Sequence, residues 1–333
     1  MSAMTNPDAP TAGADSSGKV LLIKAKGGLG NRMLSAVTGL IYADLAGRRP
    51  VIDWRDGVYA PRGENAYPLL FQSPDMPDPA LFDDRTDGVT PAIWAGRLDE
   101  FPVTMVDGDH SGPLVYRKSC VDLSRLDHDA ALAVFWSYVS KLPRLRGHMA
   151  RDPRFRGRSA RDIMADYLTR YFSPNPRVEA AVAAALGPLA RPVIGAHLRY
   201  TDMAGPLEAV KQSLAALRTQ MPEAPIFLAT DSARAQDDIR ATFGDVHITE
   251  KYLPKDGRHL HGAQADGIDP VLEAENAMID MWALARCDHL VYSKNSTFSG
   301  TSAIIGGLSG DRLVNVDRFN PKIVIKRFLQ DYL

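Results

Sequence analysis

The sequence predicts an α/β protein built on doubly wound parallel sheets. Segments of strand length and helix length alternate along most of the 333-residue chain, an order that places parallel strands between packed helices. The clearer strand candidates run directly into glycine or polar residues, and open sheets of this kind bind ligands at the carboxyl ends of their strands. The length supports about two domains, because a single core rarely grows past about 250–300 residues.

The chain divides into a tail and two halves. Residues 1–18 are rich in Ala, Gly, Ser, Asp and Pro and lack the basic start and apolar core of a signal peptide, so we expect a disordered tail. Residues 19–189 and residues 190–333 each alternate strands with helices, and a Gly- and Pro-containing run at 187–192 separates them. We therefore expect an N-terminal and a C-terminal α/β domain.

Composition excludes several classes of protein. The net charge is -1 with 24% charged residues, so no overall field favours nucleic acid or a membrane surface. No apolar stretch reaches the length that spans a bilayer. Cys120 and Cys287 lie far apart without metal-ligand spacing, which favours two reduced thiols in a cytoplasmic protein. Any anion site must therefore be local.

The first half opens with a predicted strand at 19–25 and a glycine turn. The turn runs from Lys26 to Asn31, and apolar residues then recur at helical spacing from Met33 to Leu45. Glycines let the backbone approach a ligand, and the free amides at a helix start favour an anion. The turn lacks the Lys-Ser/Thr ending of a Walker loop and the G-x-G-x-x-G spacing of dinucleotide-binding proteins. A turn that only packs strand against helix is an equal alternative.

The remainder of the first half is predicted less sharply. A second strand at 50–54 has Asp53 and Arg55 at its carboxyl end. The long Pro-, Gly- and Asp-rich segment 56–88 is either an acceptor-facing loop or a surface excursion, and the arginine-rich run 144–161 is mainly a solvated face. Helices are predicted at 131–141, 160–172 and 175–186.

The second half repeats the alternation. Strands are predicted at 193–198, 225–229, 246–248, 288–292 and 312–316. Helices are predicted at 207–220, 233–243, 272–287, 300–306 and 323–331. Polar residues follow three of the strands, at Arg199, at Asp231 and Ser232, and at 293–297. Because the carboxyl ends of parallel strands share one edge of the sheet, we expect these residues to form one site.

The run from Ile194 to Asp202 carries the strongest concentration of chemistry. It reads IGAHLRYTD and ends a strand with an imidazole, a guanidinium and a carboxylate. Arg199 is a permanently charged fork suited to phosphate oxygens, although an Arg–Asp pair that only caps a strand is the more common meaning of this pattern. Asp280 lies beside the apolar face of the predicted helix 272–287. It could cap a neighbouring loop or bind the donor edge of a ligand.

Together these motifs resemble a known series. They are K-x-x-G-G-L-G-N, V-I-D-W-R, G-A-H-L-R-Y-T-D, F-L-A-T-D-S and A-M-I-D-M-W-A-L-A-R-C-D-H-L-V-Y-S-K-N-S, in that order. The series is similar to that of the fucosyltransferases that include the NodZ-like nodulation enzymes and the eukaryotic alpha-1,6-fucosyltransferases. The glycine turn is also similar to that of the bacterial alpha-1,2-fucosyltransferases. The resemblance covers the chain from Lys19 to about Ile305.

The resemblance implies a GT-B glycosyltransferase with two Rossmann-like α/β domains facing a central cleft. Such an enzyme transfers fucose from GDP-fucose to a carbohydrate acceptor with inversion, without a metal or cofactor. The acceptor would be a GlcNAc-containing oligosaccharide or a surface-glycan precursor. Arg199 would hold the β-phosphate and stabilise the charge of the departing GDP. The other residues implied to contact the donor are Gly28, Gly30, Asn31, His197, Asp231, Ser232, Asp280 and Ser296.

Some roles stay open at this point. Tyr200 stands where many of these enzymes have a second basic residue, so another nucleotide sugar is an alternative donor. Inversion needs a base for the acceptor hydroxyl, and Asp202 and Glu208 are the candidates; Asp202 could instead pair with Arg199. A non-catalytic nucleotide-sugar- or glycan-binding protein on the same scaffold is the alternative of another class.

Overall fold

The computed structural model describes residues 18–72, 74–105, 113–199, 207–250 and 269–332. The predicted tail therefore lies outside the described residues, apart from Gly18, as do Tyr200 and Asp202. In the first half the strands are β1 Val20–Lys24, β2 Arg49–Asp53, β3 Phe71–Gln72, β4 Val89–Thr90, β5 Leu132–Trp136 and β6 Ser173–Pro174. The helices are α1 Leu29–Ala46, α2 Ala66–Leu70, α3 Pro102–Met105, α4 Pro113–Ser119, α5 Arg146–Arg151, α6 Ala160–Tyr171 and α7 Pro176–Leu186.

The second half follows the predicted alternation closely. Its strands are β7 Ile194–Leu198, β8 Ile226–Thr230, β9 Val246–His247, β10 His289–Tyr292 and β11 Leu313–Asn315. Its helices are α8 Leu207–Gln220, α9 Ala233–Phe243, α10 Pro270–Ala285, α11 Thr297–Ile305 and α12 Pro321–Tyr332. Short 3-10 helices occupy Pro79–Phe82, Ala92–Trp94, Leu142–Leu145 and Gly310–Arg312.

A four-stranded sheet forms in the first half, in the order β2-β1-β5-β4. All of its pairs are parallel. The chain leaves β1 for β2 on one side and returns through β4 and β5 on the other, so the winding direction reverses between β1 and β5. Every residue of these two strands is buried, as expected for central strands of a parallel sheet.

Strand β5 corrects the helix predicted at 131–141. The run from Leu132 to Trp136 is apolar at every position and wholly buried, and it pairs with β1 over its full length. A continuous apolar run of this length does not distinguish a buried strand from a buried helix by its periodicity. The polar residues that follow, such as Ser137, end the strand instead of forming the second turn of a helix.

The second half forms a five-stranded parallel sheet in the order β11-β10-β7-β8-β9. The chain enters at the centre with β7, passes outward through β8 and β9, and returns to the other side of β7 as β10. The winding direction therefore reverses between β7 and β10. In doubly wound sheets, the crevice at such a reversal is the place where ligands bind.

Helices join the two halves. Helix α11 packs against α1 and α6, and α10 packs against α7 and α2. Side chains from both halves, such as Leu40, Phe172 and Trp282, belong to one apolar core, while β7, β8 and the helices α8 and α9 enclose a smaller one. Cys120 and Cys287 are buried free thiols, as predicted. Within the described ranges, no helix combines the length and apolar character that crossing a bilayer requires.

Candidate active site

Two helices begin side by side at the reversal points of the two sheets. Helix α1 follows the glycine turn after β1, and α11 follows the polar turn after β10. A Cβ atom on Gly30 would lie 2.6 Å from the carbonyl oxygen of Thr297 and 2.8 Å from the amide nitrogen of Phe298. Only a residue without a side chain allows the two first turns to approach this closely. The two reversal points therefore adjoin.

Neither of these helix starts is capped by a side chain. Gly28 is the N-cap of α1 and Ser296 is the N-cap of α11; neither makes a side-chain capping hydrogen bond, and neither helix has an acidic residue in its first turn. The amides of a helix start carry roughly half a positive charge. Two such ends in contact form a local positive site that suits a phosphate group.

Gly27 and Arg32 hold the glycine turn in shape. Gly27 has a φ of +80°, and a Cβ atom there would lie 2.7 Å from the Tyr138 ring. Arg32 donates from Nε to the Gly27 carbonyl oxygen at 2.6 Å and from its two terminal nitrogens to Asp56 at 3.0 and 2.6 Å. The Arg32 guanidinium is buried. The sequence analysis did not identify Arg32 as a residue that holds the turn. The one signal for this role was an arginine within the apolar pattern of α1, and it belongs to no motif.

Lys26 adds a positive charge to the same turn. Its Nζ lies 5.4 Å from the ring centroid of Trp136 and 5.9 Å from that of Tyr138, the two residues that flank the end of β5. Within the described part of the chain, Lys26 forms no ion pair. Burial in this aromatic setting lowers the pKa of the ammonium to about 8, because the charged form loses hydration. The sequence placed Lys26 in the turn but gave it no function.

The carboxyl edge of β7 faces this region. The His197 ring stacks on Phe298 of α11, with centroids 5.0 Å apart. Arg199 follows β7 and is exposed. Burial raises the pKa of Tyr59, in the first half, to about 12, while the positive charges of Arg32 and Arg199 act against that rise. Arg199 therefore lies within electrostatic reach of the loop that follows β2.

Asp231 and Ser232 lie at the same edge, one strand further along. Leu198 pairs with Thr230 in the sheet, so Arg199 and Asp231 are the residues that follow neighbouring strands. Ser232 is the N-cap of α9, and its hydroxyl accepts a hydrogen bond from the Ala235 amide at 3.3 Å. Ser232 thus has a capping function that Ser296 does not share.

Asp280 is buried on α10 and holds a neighbouring loop. Its Oδ1 accepts a hydrogen bond from the hydroxyl of Thr249, which follows β9. The sequence left two roles open for Asp280, capping of a neighbouring loop and binding of a ligand. The hydrogen bond from Thr249 is a loop-capping contact. It also brings the carboxylate toward the carboxyl edge that carries Asp231.

Three predicted residues remain, namely Asn31, Glu208 and Asp202. Asn31 lies beside the turn, with its Nδ2 3.1 Å from the position of a Cβ atom on Gly27. Glu208 lies in the first turn of α8, with an exposed side chain 3.9 Å from Lys211. Asp202 is outside the described residues. Of the two candidate bases, only Glu208 therefore has a described position.

Asp53 and Arg55, at the end of β2, belong to a buried ionic network. Lys24 Nζ lies 2.7 Å from Asp53 Oδ2, and Arg55 bridges Asp53 and Asp83 at 2.9 and 2.7 Å. Burial opposes ionisation of Asp53, yet the charges of Lys24 and Arg55 outweigh it and hold the pKa of the carboxyl below its usual range. The network connects β1, β2 and the loop near Pro79–Phe82. The geometry gives these motif residues a structural function.

Among the residues that the structure describes, no group of three or more His, Cys, Asp or Glu side chains is arranged to hold a metal ion. The positive groups at the contact between α1 and α11 are the two helix starts and, in the turn before α1, Lys26.

Several solved structures to which this chain is similar are fucosyltransferases. NodZ from Bradyrhizobium is similar with a TM-score of 0.58 and 20% identity, over 85% of this chain and 91% of that one. A mutant of Arabidopsis thaliana FUT1 in complex with GDP is similar with a TM-score of 0.58 and 16% identity, over 90% of this chain and 73% of that one. The fold is that of the GT-B fucosyltransferases. POFUT1 in complex with GDP-fucose also matches, with a TM-score of 0.51, 13% identity and coverage of 91% and 99%.

The GT-B fold was the architecture that the motif series implied, and it is confirmed. No family model matches the sequence, and no curated protein matches it. In the GT-B arrangement two α/β sheets face a cleft, and here their reversal points meet at Gly30 and Thr297. The positive site described above therefore lies between the two sheets.

Proposed function

We propose that this protein is an inverting glycosyltransferase that moves fucose from GDP-fucose to a carbohydrate acceptor. The observation that carries the proposal is the contact between two uncapped helix starts at the reversal points of both sheets. It is supported by the fold, since NodZ has been soaked with GDP-fucose and POFUT1 crystallised with it. The donor diphosphate occupies the positive site, and Arg199 acts at its edge.

The proposed chemistry is electrostatic. As the bond between the sugar and the β-phosphate breaks, negative charge grows on the departing GDP. The amides at the starts of α1 and α11, the Lys26 ammonium and the Arg199 guanidinium stabilise that charge, because they are already oriented before reaction begins. The Ser296 hydroxyl is not used to cap its own helix, so it can donate to a phosphate oxygen. Gly28 and Gly30 let the backbone come close.

The rest of the donor lies along the edge of the second sheet. We assign the nucleoside to the region of His197 and Asp231, at the carboxyl ends of β7 and β8, and of Asp280, whose partner Thr249 follows β9. Residues 190–333 then form the nucleotide-sugar-binding domain. Residues 19–189, which carry the other sheet, form the acceptor side. Asp202 or Glu208 takes the proton of the acceptor hydroxyl.

We also propose a class of acceptor and a cellular location. A GlcNAc-containing oligosaccharide or a surface-glycan precursor receives the fucose. GDP-fucose is the donor substrate, and no metal or other cofactor takes part. The buried free thiols Cys120 and Cys287 suit a reducing compartment, which supports a cytoplasmic location.

A comparison of nucleotides tests the donor site directly. Thermal unfolding is measured with GDP, UDP and ADP, each with magnesium and with a chelator. We expect GDP to raise the melting temperature most, and equally with and without magnesium, because a ligand that binds the folded state stabilises it. A larger rise with UDP or ADP than with GDP would exclude GDP-fucose as the donor and indicate a sugar nucleotide of uridine or adenosine.

Turnover separates an enzyme from a binding protein. A panel of nucleotide sugars is tested for release of the nucleoside diphosphate, alone and with GlcNAc-terminated oligosaccharides. We expect GDP-fucose to be consumed fastest, with the acceptor accelerating release. Binding of GDP without turnover of any donor, across all acceptors, would identify a non-catalytic nucleotide-sugar-binding protein instead.

A further inference from the structure

Helix α12 carries an apolar face that is open to solvent. Val324, Ile325, Phe328 and Leu329 are between 47% and 61% exposed. At 3.6 residues per turn these four positions lie on one side of the helix. Phe319, just before the helix, is 84% exposed and continues the apolar surface.

The side of α12 that rests on the protein carries Ile323, which is 37% exposed, and Arg327. Arg327 donates a hydrogen bond to the Lys294 carbonyl oxygen at 3.2 Å. The helix also packs against the 3-10 helix Leu142–Leu145 of the first half. A surface helix of a globular protein normally turns its apolar stripe inward. Here Val324, Ile325, Phe328 and Leu329 face away from the protein, which leaves apolar area in water unless another surface covers it.

The surroundings of this face are basic. Residues 317–331 contain Arg318, Lys322, Lys326 and Arg327, against two aspartates. The segment 144–161, which continues from the 3-10 helix under α12, contains seven arginines and a single acidic residue. Arg151 and Arg156 in that segment are exposed. Arg144, Arg154 and Arg158 in that segment pair with Asp122, Asp152 and Asp166. The chain as a whole has a net charge of -1, whereas residues 317–331, with four basic and two acidic residues, have a net charge of +2.

We propose that α12 docks this protein on the surface of an anionic lipid bilayer. The apolar face lies among the acyl chains near the headgroups, and the basic side chains lie beside the lipid phosphates. An amphipathic helix with a basic polar side and exposed aliphatic and aromatic residues binds bilayers in this way. A second copy of the chain is a poorer partner, because two basic surfaces would be brought together without compensating negative charge. The proposal is independent of the GDP-fucose function.

Vesicle flotation tests the docking surface in the full-length protein. The vesicles contain phosphatidylcholine alone, or phosphatidylcholine with about one third phosphatidylglycerol. We expect the partition coefficient to be at least about tenfold higher for the anionic vesicles, and to fall with added salt, because the attraction to headgroups is screened. The double variant Ile325→Ser/Leu329→Ser should lower binding to anionic vesicles about tenfold.

A matched control distinguishes binding through this apolar face from nonspecific adsorption of the protein to vesicles. Leu81 is an exposed leucine in the 3-10 helix Pro79–Phe82, and Leu81→Ser should bind anionic vesicles as the unchanged protein does. The melting temperatures of both variants are compared with that of the parent, to show that they fold. Equal binding to neutral and anionic vesicles, or no binding to either, would overturn the proposal. So would a dimer in light scattering that Ile325→Ser/Leu329→Ser converts to a monomer, since the face would then be covered by a second copy.

Discussion

Gly30 and Thr297 bring the starts of two helices from opposite halves of the chain into backbone contact. A Cβ atom on Gly30 would lie only 2.6 Å from the Thr297 carbonyl oxygen, and both helix starts lack a side-chain cap. The positive ends of α1 and α11 therefore adjoin at the reversal points of both sheets. This relationship supports a diphosphate site and gives the first prediction.

Gly30→Ala should weaken GDP binding and destabilise the protein by about 1–3 kcal/mol. The added methyl group meets backbone atoms, which cannot move aside as a flexible side chain can, and overpacking of this kind costs about that much. The changes are measured by thermal unfolding and by GDP titration.

Gly300→Ala is the matched control for the same helix pair. Gly300 lies within α11, and nothing stands within 4 Å of the position of its Cβ atom. Replacement by alanine should leave GDP binding unchanged and stabilise the helix by roughly 0.4–1 kcal/mol. Equal losses of stability in the two variants would contradict the close contact at Gly30.

Arg199→Ala should lower the rate of transfer at least about 10²-fold while the protein stays folded. The side chain is exposed, so its removal leaves no cavity, whereas a charge that acts on the departing phosphate is worth about 10²–10³ in rate. Steady-state kinetics with GDP-fucose measure the effect, with unfolding curves as the control. Full activity of Arg199→Ala would remove Arg199 from the mechanism.

Lys26 should make GDP binding dependent on pH. Burial lowers the pKa of its ammonium to about 8, so in the free protein the charge is present below that pH and is lost as the pH rises through it. The affinity for GDP should therefore fall above pH 8. Lys26→Arg should bind GDP without this decline, because a guanidinium stays charged.

GDP itself also titrates over this pH range, and this contribution is the same for the parent and for Lys26→Arg. The difference between their pH profiles therefore reports the titration of Lys26 alone. Calorimetric titrations at several pH values, in buffers of equal ionic strength, give the two profiles. Lys26→Met should bind GDP weakly throughout. Identical profiles for the parent and for Lys26→Arg would show that Lys26 does not meet the phosphates.

Ser232 and Ser296 should respond in opposite ways to replacement by alanine. The Ser232 hydroxyl caps α9 through the Ala235 amide, so Ser232→Ala should cost about 1 kcal/mol of stability. Ser296 makes no capping bond, so Ser296→Ala should leave stability nearly unchanged and weaken GDP binding. Chemical denaturation and GDP titration distinguish the two results, and a stability loss confined to Ser296→Ala would contradict the prediction.

Asp53→Asn should lower the free energy of unfolding by about 3–5 kcal/mol at neutral pH, because it leaves Lys24 buried without its charge partner. The pKa of Asp53 is lowered in the folded state, so the stabilisation is present above the pKa of the unfolded chain, about 3.9, and is lost as the pH falls toward the folded value. The difference between the parent and Asp53→Asn should therefore shrink in acid.

Asp129→Asn is the control for this network. Asp129 pairs with Lys19 at 3.8 Å on the surface, and exposed pairs contribute about 0–1 kcal/mol. Urea denaturation at several pH values compares the two substitutions. Similar effects at both sites would show that the Lys24 and Asp53 pair contributes no more than a surface contact.

Local patterns were sufficient for most of the second half. Each strand and helix predicted there is present, because short apolar runs alternate with amphipathic helices and the connections carry glycine or polar residues. The strand β5 was the clear failure. Its residues 132–136 are apolar throughout and pack on both faces of the sheet, so they carry no periodicity that separates a strand from a helix.

Within the candidate site, the sequence identified which turns carry polar residues but not how each residue is used. It named Asp53 and Arg55 as strand-end residues, yet only the structure shows them neutralised in a network with Lys24 and Asp83. It gave no role to Lys26 or Arg32, because burial and aromatic neighbours come from segments far away along the chain.

The sequence by itself determined an α/β fold with glycine or polar turns at the carboxyl ends of β1 and β7, since strand, turn and helix preferences are local. It also determined that Arg199 and the glycine turn would lie at such ends. Only the tertiary structure decided that the two turns meet, because the contact of Gly30 with Thr297 depends on how α1 and α11 pack. It likewise decided the burial of Lys26 and the outward apolar face of α12, since burial is a property of neighbours brought together by folding.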